Sequence, residues 1–253
     1  MTAFDLTGRT ALVTGASRGI GRAMAVAFAR HGADVALNGR DTALLEEVRA
    51  EIEGLGRKAV VVAADVTDPE AVRGMVDSAI GSLGHLDIVV NNAGGNSFSV
   101  PFLDARPSGW DKVMKLNLDS VVEVCRAVGP HMLQRGAGSV INVASVAGLS
   151  AVPMMGHYGT AKAAVVALTR TLAAEWAWAG VRVNALVPGW VATDLTEFAR
   201  AEPGVEKALI SRVPMQRWAS AEEIAGPAVF LASDASSFVT GHSLVVDGGL
   251  TVT

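Results

Sequence analysis

Short apolar runs alternate with longer amphipathic stretches along the whole sequence. The runs fall at 10–14, 34–37, 59–62, 87–90, 139–143, 182–187 and 244–246, and consist mainly of valine, leucine, isoleucine and alanine. Between them, near 19–31, 42–53, 69–83, 108–134, 157–179 and 220–232, apolar positions recur at helical spacing. A strand without polar alternation is buried on both faces, and strands separated by helices pair in parallel. The pattern predicts one α/β domain over residues 1–253, a doubly wound seven-stranded parallel sheet with helices on both faces and right-handed crossovers. No repeat, low-complexity tract or linker marks a second domain. One stretch, 190–214, is irregular. Glu197, Arg200, Glu202, Glu206 and Lys207 make it more polar than its flanks, and its length suits a lid over a binding site.

Composition narrows the function. Half of the 253 residues are hydrophobic, enough for one sizeable core, and the formal net charge is -4. That mild acidity gives no basis for expecting nucleic acid or an anionic membrane as partner. Cys125 is the sole cysteine, which excludes an internal disulfide, and Val-Val-Glu-Val-Cys-Arg reads as a small apolar position on a helix. No run approaches the roughly 18 to 20 apolar residues of a membrane span. Asp5 precedes any basic residue, unlike a secretory signal. A soluble, cytoplasmic protein is expected. His31, His85, His131, His157 and His242 are scattered without metal-ligand spacing, so no metal site is expected.

Chemistry enters where the first strand ends, in Thr14-Gly15-Ala16-Ser17-Arg18-Gly19-Ile20-Gly21. Glycines there permit a tight turn and close backbone approach to a pyrophosphate, and the following helix offers unpaired amides and the positive end of its dipole. The tip of the second strand, Leu37-Asn38-Gly39-Arg40-Asp41-Thr42, would meet the adenosine ribose. An acidic residue there reads a free 2′-hydroxyl and an arginine a 2′-phosphate, and both types are present. Asp41 is assigned to the N-cap of the next helix. Arg40, with Arg18, then favours NADP(H).

Tyr158, the only tyrosine, stands four residues before Lys162, which puts both side chains on one helix face. An ammonium beside a phenol favours phenolate, and a downward shift of about 3 units would suit acid/base work near neutral pH. Ser145 follows the fifth apolar run, at the carboxyl edge where open α/β sheets bind ligands.

In TGASRGIG, NNAG (Asn91 to Gly94), Asn117 of KLNLDS, Ser145, YGTAK (Tyr158 to Lys162) and PGWVAT (Pro188 to Thr193), the sequence resembles the short-chain dehydrogenase/reductase family, with its Rossmann fold. The resemblance runs from Gly8 to Gly249. It implies a hydride transfer between NADP(H) and a small-molecule carbonyl or secondary alcohol. Tyr158 would be the general acid/base, Lys162 would lower its pKa and hold the nicotinamide ribose, and Ser145 would position the carbonyl. Asn117 would help hold a water that relays protons to Lys162. The cofactor would lie on Gly15, Ser17, Arg18, Gly19, Ile20 and Gly21, with Arg40 at its 2′-phosphate and Asp65 and Val66 beside the adenine. Asn92, Ala93 and Gly94 would line the cleft, and Pro188, Gly189, Val191 and Thr193 the nicotinamide end. In this family the acidic residue diagnostic of NAD would fall at Gly39. The C-terminal SLVVDGG resembles the β-ketoacyl carrier-protein reductases and related dehydrogenases, which are typically tetramers. Val121, Val122, Val124, Val165, Val166, Leu168 and Leu172 exceed one core-facing stripe, so a homotetramer is expected.

The substrate space is expected from 96–103, 147–155 and 190–212. Phe98, Val100, Leu149, Val152, Met154 and Met155 would give it apolar walls, favouring a 3-oxoacyl or other small ketone. A dehydrogenase of a sugar acid, polyol or steroid alcohol is the alternative. A non-catalytic NADP(H)-binding regulator is a remoter one, since it would have little need of Asn117, Ser145, Tyr158 and Lys162 together.

Overall fold

Every residue of β1 (Thr10–Val13) and β4 (Ile88–Asn91) is buried, as the middle of a sheet covered on both faces requires. In the computed structural model, which describes residues 3–252, these strands lie side by side at the centre of one parallel sheet. The others are β2 (Asp34–Leu37), β3 (Ala59–Val61), β5 (Gly138–Val143), β6 (Val181–Pro188) and β7 (Ser243–Val246), in the order β3-β2-β1-β4-β5-β6-β7. All seven fall on the apolar runs, within two residues.

Helices α1 (Gly19–Arg30), α2 (Thr42–Gly54) and α9 (Ala221–Ala232) cover one face, where Met24, Phe28, Leu45, Ile52 and Ile224 are fully buried. Helices α3 (Pro69–Leu83), α5 (Ser120–Arg135) and α6 (Gly156–Trp176) cover the other, through Val72, Val76, Val124, Val128, Met132 and Val165. Local chemistry fixes where helices begin. Asp41 accepts from Leu44 N–H at 3.2 Å, the N-cap role assigned to it from sequence. Asp68 accepts from Glu70 N–H at 2.9 Å ahead of Pro69, and Ser220 forms a capping box with Glu223.

The chain leaves β1 toward one neighbour, β2, and returns later to the opposite side as β4. Their carboxyl ends therefore diverge, opening the crevice at which such sheets bind ligands.

Two segments differ from the sequence pattern. The single helix expected at 108–134 is three elements: α4 (Pro107–Met114), a π-helical turn Lys115–Asp119, and α5. Hydrophobic periodicity is blind to one inserted residue, and the turn is pinned by side chains of its own, among them Asn117. The 190–214 stretch is itself folded, with a 3-10 turn Asp194–Thr196, α7 (Glu197–Arg200) and α8 (Pro203–Ile210). Its base is tied by the Val191–Ala219 bridge and by Trp190 packing edge-on to Trp218, with ring centroids 5.7 Å apart. Among the described residues no helix is long and apolar enough to cross a membrane.

Candidate active site

At the crevice the glycine turn is shaped by what a side chain would strike. Gly15 and Gly19 hold φ of +65° and +55°, a region that disfavours L side chains. A Cβ on Gly21 would run into the Gly15 carbonyl, so the turn closes only with glycine there. Asn92 braces it from just beyond β4. Its Nδ2 donates to Thr14 O at 2.9 Å, and the Asn92 and Ala93 amides donate to Thr14 Oγ1 at 2.9 and 3.0 Å. No side chain caps α1, which leaves its first amides facing the turn. The cradle fits a dinucleotide pyrophosphate: small, backbone-lined and at the positive end of a helix.

On the β2 side, Gly39 is buried and Arg40 exposed. Asn38 Nδ2 donates to Val62 O at 2.9 Å and to Ala64 O at 3.2 Å, fastening the loop that carries Asp65 and buried Val66. Thr67, through its amide and hydroxyl, holds the Asp65 carboxyl below its ordinary range, and Arg40 adds to that. Arg18 pairs with Asp194, across the crevice.

On the β6 side, Pro188 is buried at the strand end, and Gly189 N–H donates to Val246 O at 3.0 Å. A Cβ on Gly189 would lie 2.8 Å from the Asp247 backbone. Val191 is buried, while the Thr193 side chain stands 3.4 Å from where a Gly19 side chain would begin. Thr193, implied at the nicotinamide end, thus faces Gly19 of the pyrophosphate turn across the cleft.

Its floor carries Ser145, Tyr158, Lys162 and Asn117. Ser145 caps the short 3-10 turn Val146–Gly148 just beyond β5, accepting from Ala147 N–H at 3.2 Å. Tyr158 and Lys162 lie in the first two turns of α6. Lys162 is 3% exposed and donates from Nζ to Val143 O at 2.9 Å, with Nζ 5.7 Å from the Tyr158 ring centre. Burial lowers the ammonium to about 8. Asn117 Oδ1 accepts from Gly95 N–H at 3.0 Å, and Nδ2 donates to Gly95 O at 2.8 Å and to Val113 O at 3.0 Å. A Cβ on Gly94 would sit 2.8 Å from Asn117 Oδ1 and 3.2 Å from Lys162 Nζ, so both groups converge on that glycine.

One electrostatic expectation is corrected. The phenol of Tyr158 stands above its ordinary value, not below it. Burial raises it, and the hydrogen bond with Ser145 only partly offsets this. Burial also weakens the ammonium expected to pull it down. Ser145, rather than Lys162, is the residue that eases its ionisation here.

Asn142 and Thr169 gave no signal in the sequence, and Asn91 showed only as the first residue of NNAG. Asn91 Nδ2 donates to Asn142 Oδ1 at 2.8 Å, and Asn142 Nδ2 to Thr169 Oγ1 at 2.9 Å, a buried polar chain linking β4, β5 and α6 beneath the site. Thr14 and Asn38 stood in the quoted segments, but neither spacing nor residue type showed what they hold. Cys125 is buried against this chain, its thiol pushed up to about 12 by burial, which agrees with a packing role. Among the described residues no cluster of His, Cys, Asp or Glu could hold a metal ion.

A family model described as Enoyl-(Acyl carrier protein) reductase matches residues 15–251. The chain belongs to this family of short-chain dehydrogenases/reductases. It is 43% identical over 249 residues to the gluconate 5-dehydrogenase of Gluconobacter oxydans (strain 621H), covering 98% of this chain and 97% of that one. A 3-oxoacyl-(acyl-carrier-protein) reductase of Synechocystis sp. is 39% identical over 247 residues, 97% of this chain and 98% of that one. The crystal structure of a gluconate 5-dehydrogenase from Burkholderia cenocepacia J2315 in complex with NADP and tartrate superposes with a TM-score of 0.95 at 38% identity, covering 99% and 98% of the two chains. The protein is an oxidoreductase that transfers hydride between NADP(H) and a carbonyl or secondary alcohol.

Proposed function

We propose that the protein interconverts the 5-oxo and 5-hydroxy forms of a gluconate-type sugar acid. The observation that carries this substrate class is the 43% identity to a gluconate 5-dehydrogenase across nearly the full length of both chains. The fold and cleft supply the rest. The bound nicotinamide supplies or takes the hydride. Tyr158 gives its phenolic proton to the substrate oxygen in reduction and takes it back in oxidation. Ser145 donates to that oxygen and holds it within reach of the phenol. Lys162, with its ammonium 5.7 Å from the Tyr158 ring centre, stabilises negative charge as it develops. Asn117 holds Gly95, and with it the wall of the cleft. The direction follows the ratio of NADPH to NADP⁺.

A second reading, reduction of a 3-oxoacyl group, draws support from Leu149, Met154, Leu195 and Phe198, which are exposed apolar side chains in the segments expected to line the substrate space. Absorbance of NADPH with 5-dehydro-D-gluconate and with an acetoacetyl thioester tests the two. A higher kcat/KM for the sugar acid supports the first reading, and a higher one for the thioester replaces it with the second.

The same proposal includes residues 190–214 as a substrate lid, a cytoplasmic location and a homotetramer. Of the apolar positions counted as surplus, Val121, Val124, Val165 and Val166 are buried in the core and Leu168 and Leu172 pack against it, which leaves half-buried Val122 in support of the last.

A further inference from the structure

His157 directly precedes Tyr158, yet it is 1% exposed and belongs to the first turn of α6. Its ring stacks on Phe98, with centroids 4.1 Å apart and planes within 9°. Trp110 meets it edge-on at 6.3 Å. Its Nε2 lies 2.9 Å from Asn96 Oδ1. Asn96 Nδ2 is turned to Ser99 Oγ at 3.3 Å, which orients the amide so that its oxygen accepts from the imidazole N–H.

These contacts fall on one short segment. Gly95 is gripped by Asn117 at both its amide and its carbonyl. Asn96 and Phe98 are gripped by His157, and Gly109 makes room for Phe98, since a Cβ there would stand 3.0 Å from the Phe98 ring. Val100 N–H donates to Met154 O at 3.0 Å, and Met154 holds a φ of +67°, which a methionine adopts only when its surroundings impose it. The segment borders the reacting groups on one side and the 190–214 stretch on the other, where a Cβ on Gly95 would meet Leu195 at 3.6 Å.

We propose that His157 is a positioning residue for substrate recognition, fixing the 95–100 segment as the wall of the substrate space through Asn96 and Phe98. It takes no part in the proton transfer. A stacked ring with a hydrogen bond at its far edge sets both the distance and the rotation of the segment, whereas an apolar ring would set the distance alone. The inference rests on the reading that Tyr158 delivers the proton and that substrate lies along this wall.

The test uses His157→Phe, which keeps a stacking ring and removes the donor, Asn96→Ala, which removes the acceptor, and the pair combined. With NADPH and 5-dehydro-D-gluconate, each single variant is expected to raise substrate KM about tenfold, the scale of one lost hydrogen bond. The double variant should rise little further, kcat should stay within about threefold, and NADPH affinity by fluorescence should be unchanged. His157→Gln, which retains a donor, should recover part of the loss. Amide exchange over 95–100 should quicken in the variants while exchange in the body of α6 does not. Wild-type KM with unchanged exchange in Asn96→Ala and in His157→Phe overturns the proposal. Should His157→Phe fail to fold, Asn96→Ala decides alone. Exchange needs no substrate. If the wild type ignores 5-dehydro-D-gluconate but exchange over 95–100 responds as stated, the substrate reading fails and the positioning role stands.

Discussion

Arg18 Nη1 lies 3.2 Å from Asp194 Oδ2, joining the glycine turn to the segment after β6. The guanidinium expected at a 2′-phosphate therefore already has an anionic partner. Both side chains are more than half exposed, so the pair is worth little by itself. Its effect is on competition, because a cofactor phosphate must share or displace the carboxylate. Asp194→Asn is expected to tighten NADPH binding by about two- to fivefold, the scale of an exposed pair, with NADH little changed. Fluorescence titration of both cofactors checks this. Equal changes for the two would place Arg18 away from the 2′ position.

Cofactor choice should be reversible at the β2 tip. A Cβ on Gly39 would meet Leu45 at 3.5 Å, an ordinary contact, so the backbone there accepts a side chain. Gly39→Asp with Arg40→Ala is expected to turn preference toward NADH, since each charge-assisted bond lost is worth about 1.5 to 3 kcal/mol. The measurement is kcat/KM for both cofactors. Retained NADPH preference in the double variant would leave Arg18 as the main phosphate reader.

Tyr158→Phe is expected to lower kcat by about a hundredfold or more, the loss typical of a missing general acid. NADPH affinity should hold, because the glycine turn binds independently of the phenol. Substantial residual turnover would move the proton source elsewhere.

Lys162 gives stability a pH dependence. Its folded pKa of about 8 lies below the ordinary lysine value, so the unfolded chain binds the proton more tightly. Stability from this group is complete above the unfolded pKa and is lost as pH falls through about 8. Denaturant melts at pH 7 and pH 9.5 should show wild type gaining relative to Lys162→Met, by at most about 1.4 kcal/mol per pH unit. Tyr158, whose pKa is raised, acts in the opposite sense, losing stability only at higher pH.

Residues 190–214 are expected to exchange amide protons more slowly with NADPH and substrate bound than without. The exposed Leu195, Phe198 and Val205 leave that segment little buried surface of its own. Equal exchange in both conditions would make it a fixed wall.

The sheet, its helices and the glycine turn were legible because burial on two faces and a crowded turn each constrain residue type locally. The Asp41 cap was legible for the same reason, as its partner is three residues away. The π-helical turn at Asn117 was not, since periodicity carries no mark of one extra residue. Nor were the Arg18–Asp194 pair and the His157–Asn96 contact, whose partners stand 176 and 61 residues apart. Such contacts exist only once the sheet order has brought remote loops together. The sign of the Tyr158 shift was missed for a related reason: helical spacing shows that Lys162 is near, but not that both groups are buried.

The π-helical turn also sets an opposition between order and work. An α-helix advances about 100° per residue, so removing one residue from Lys115–Asp119 would rejoin α4 and α5 as a regular helix while swinging Asn117 off Gly95. Selection for stability alone would favour that repair. A heat-hardened descendant of this chain could therefore be better folded and catalytically idle, and the irregularity is the part of the helix that engineering should leave untouched.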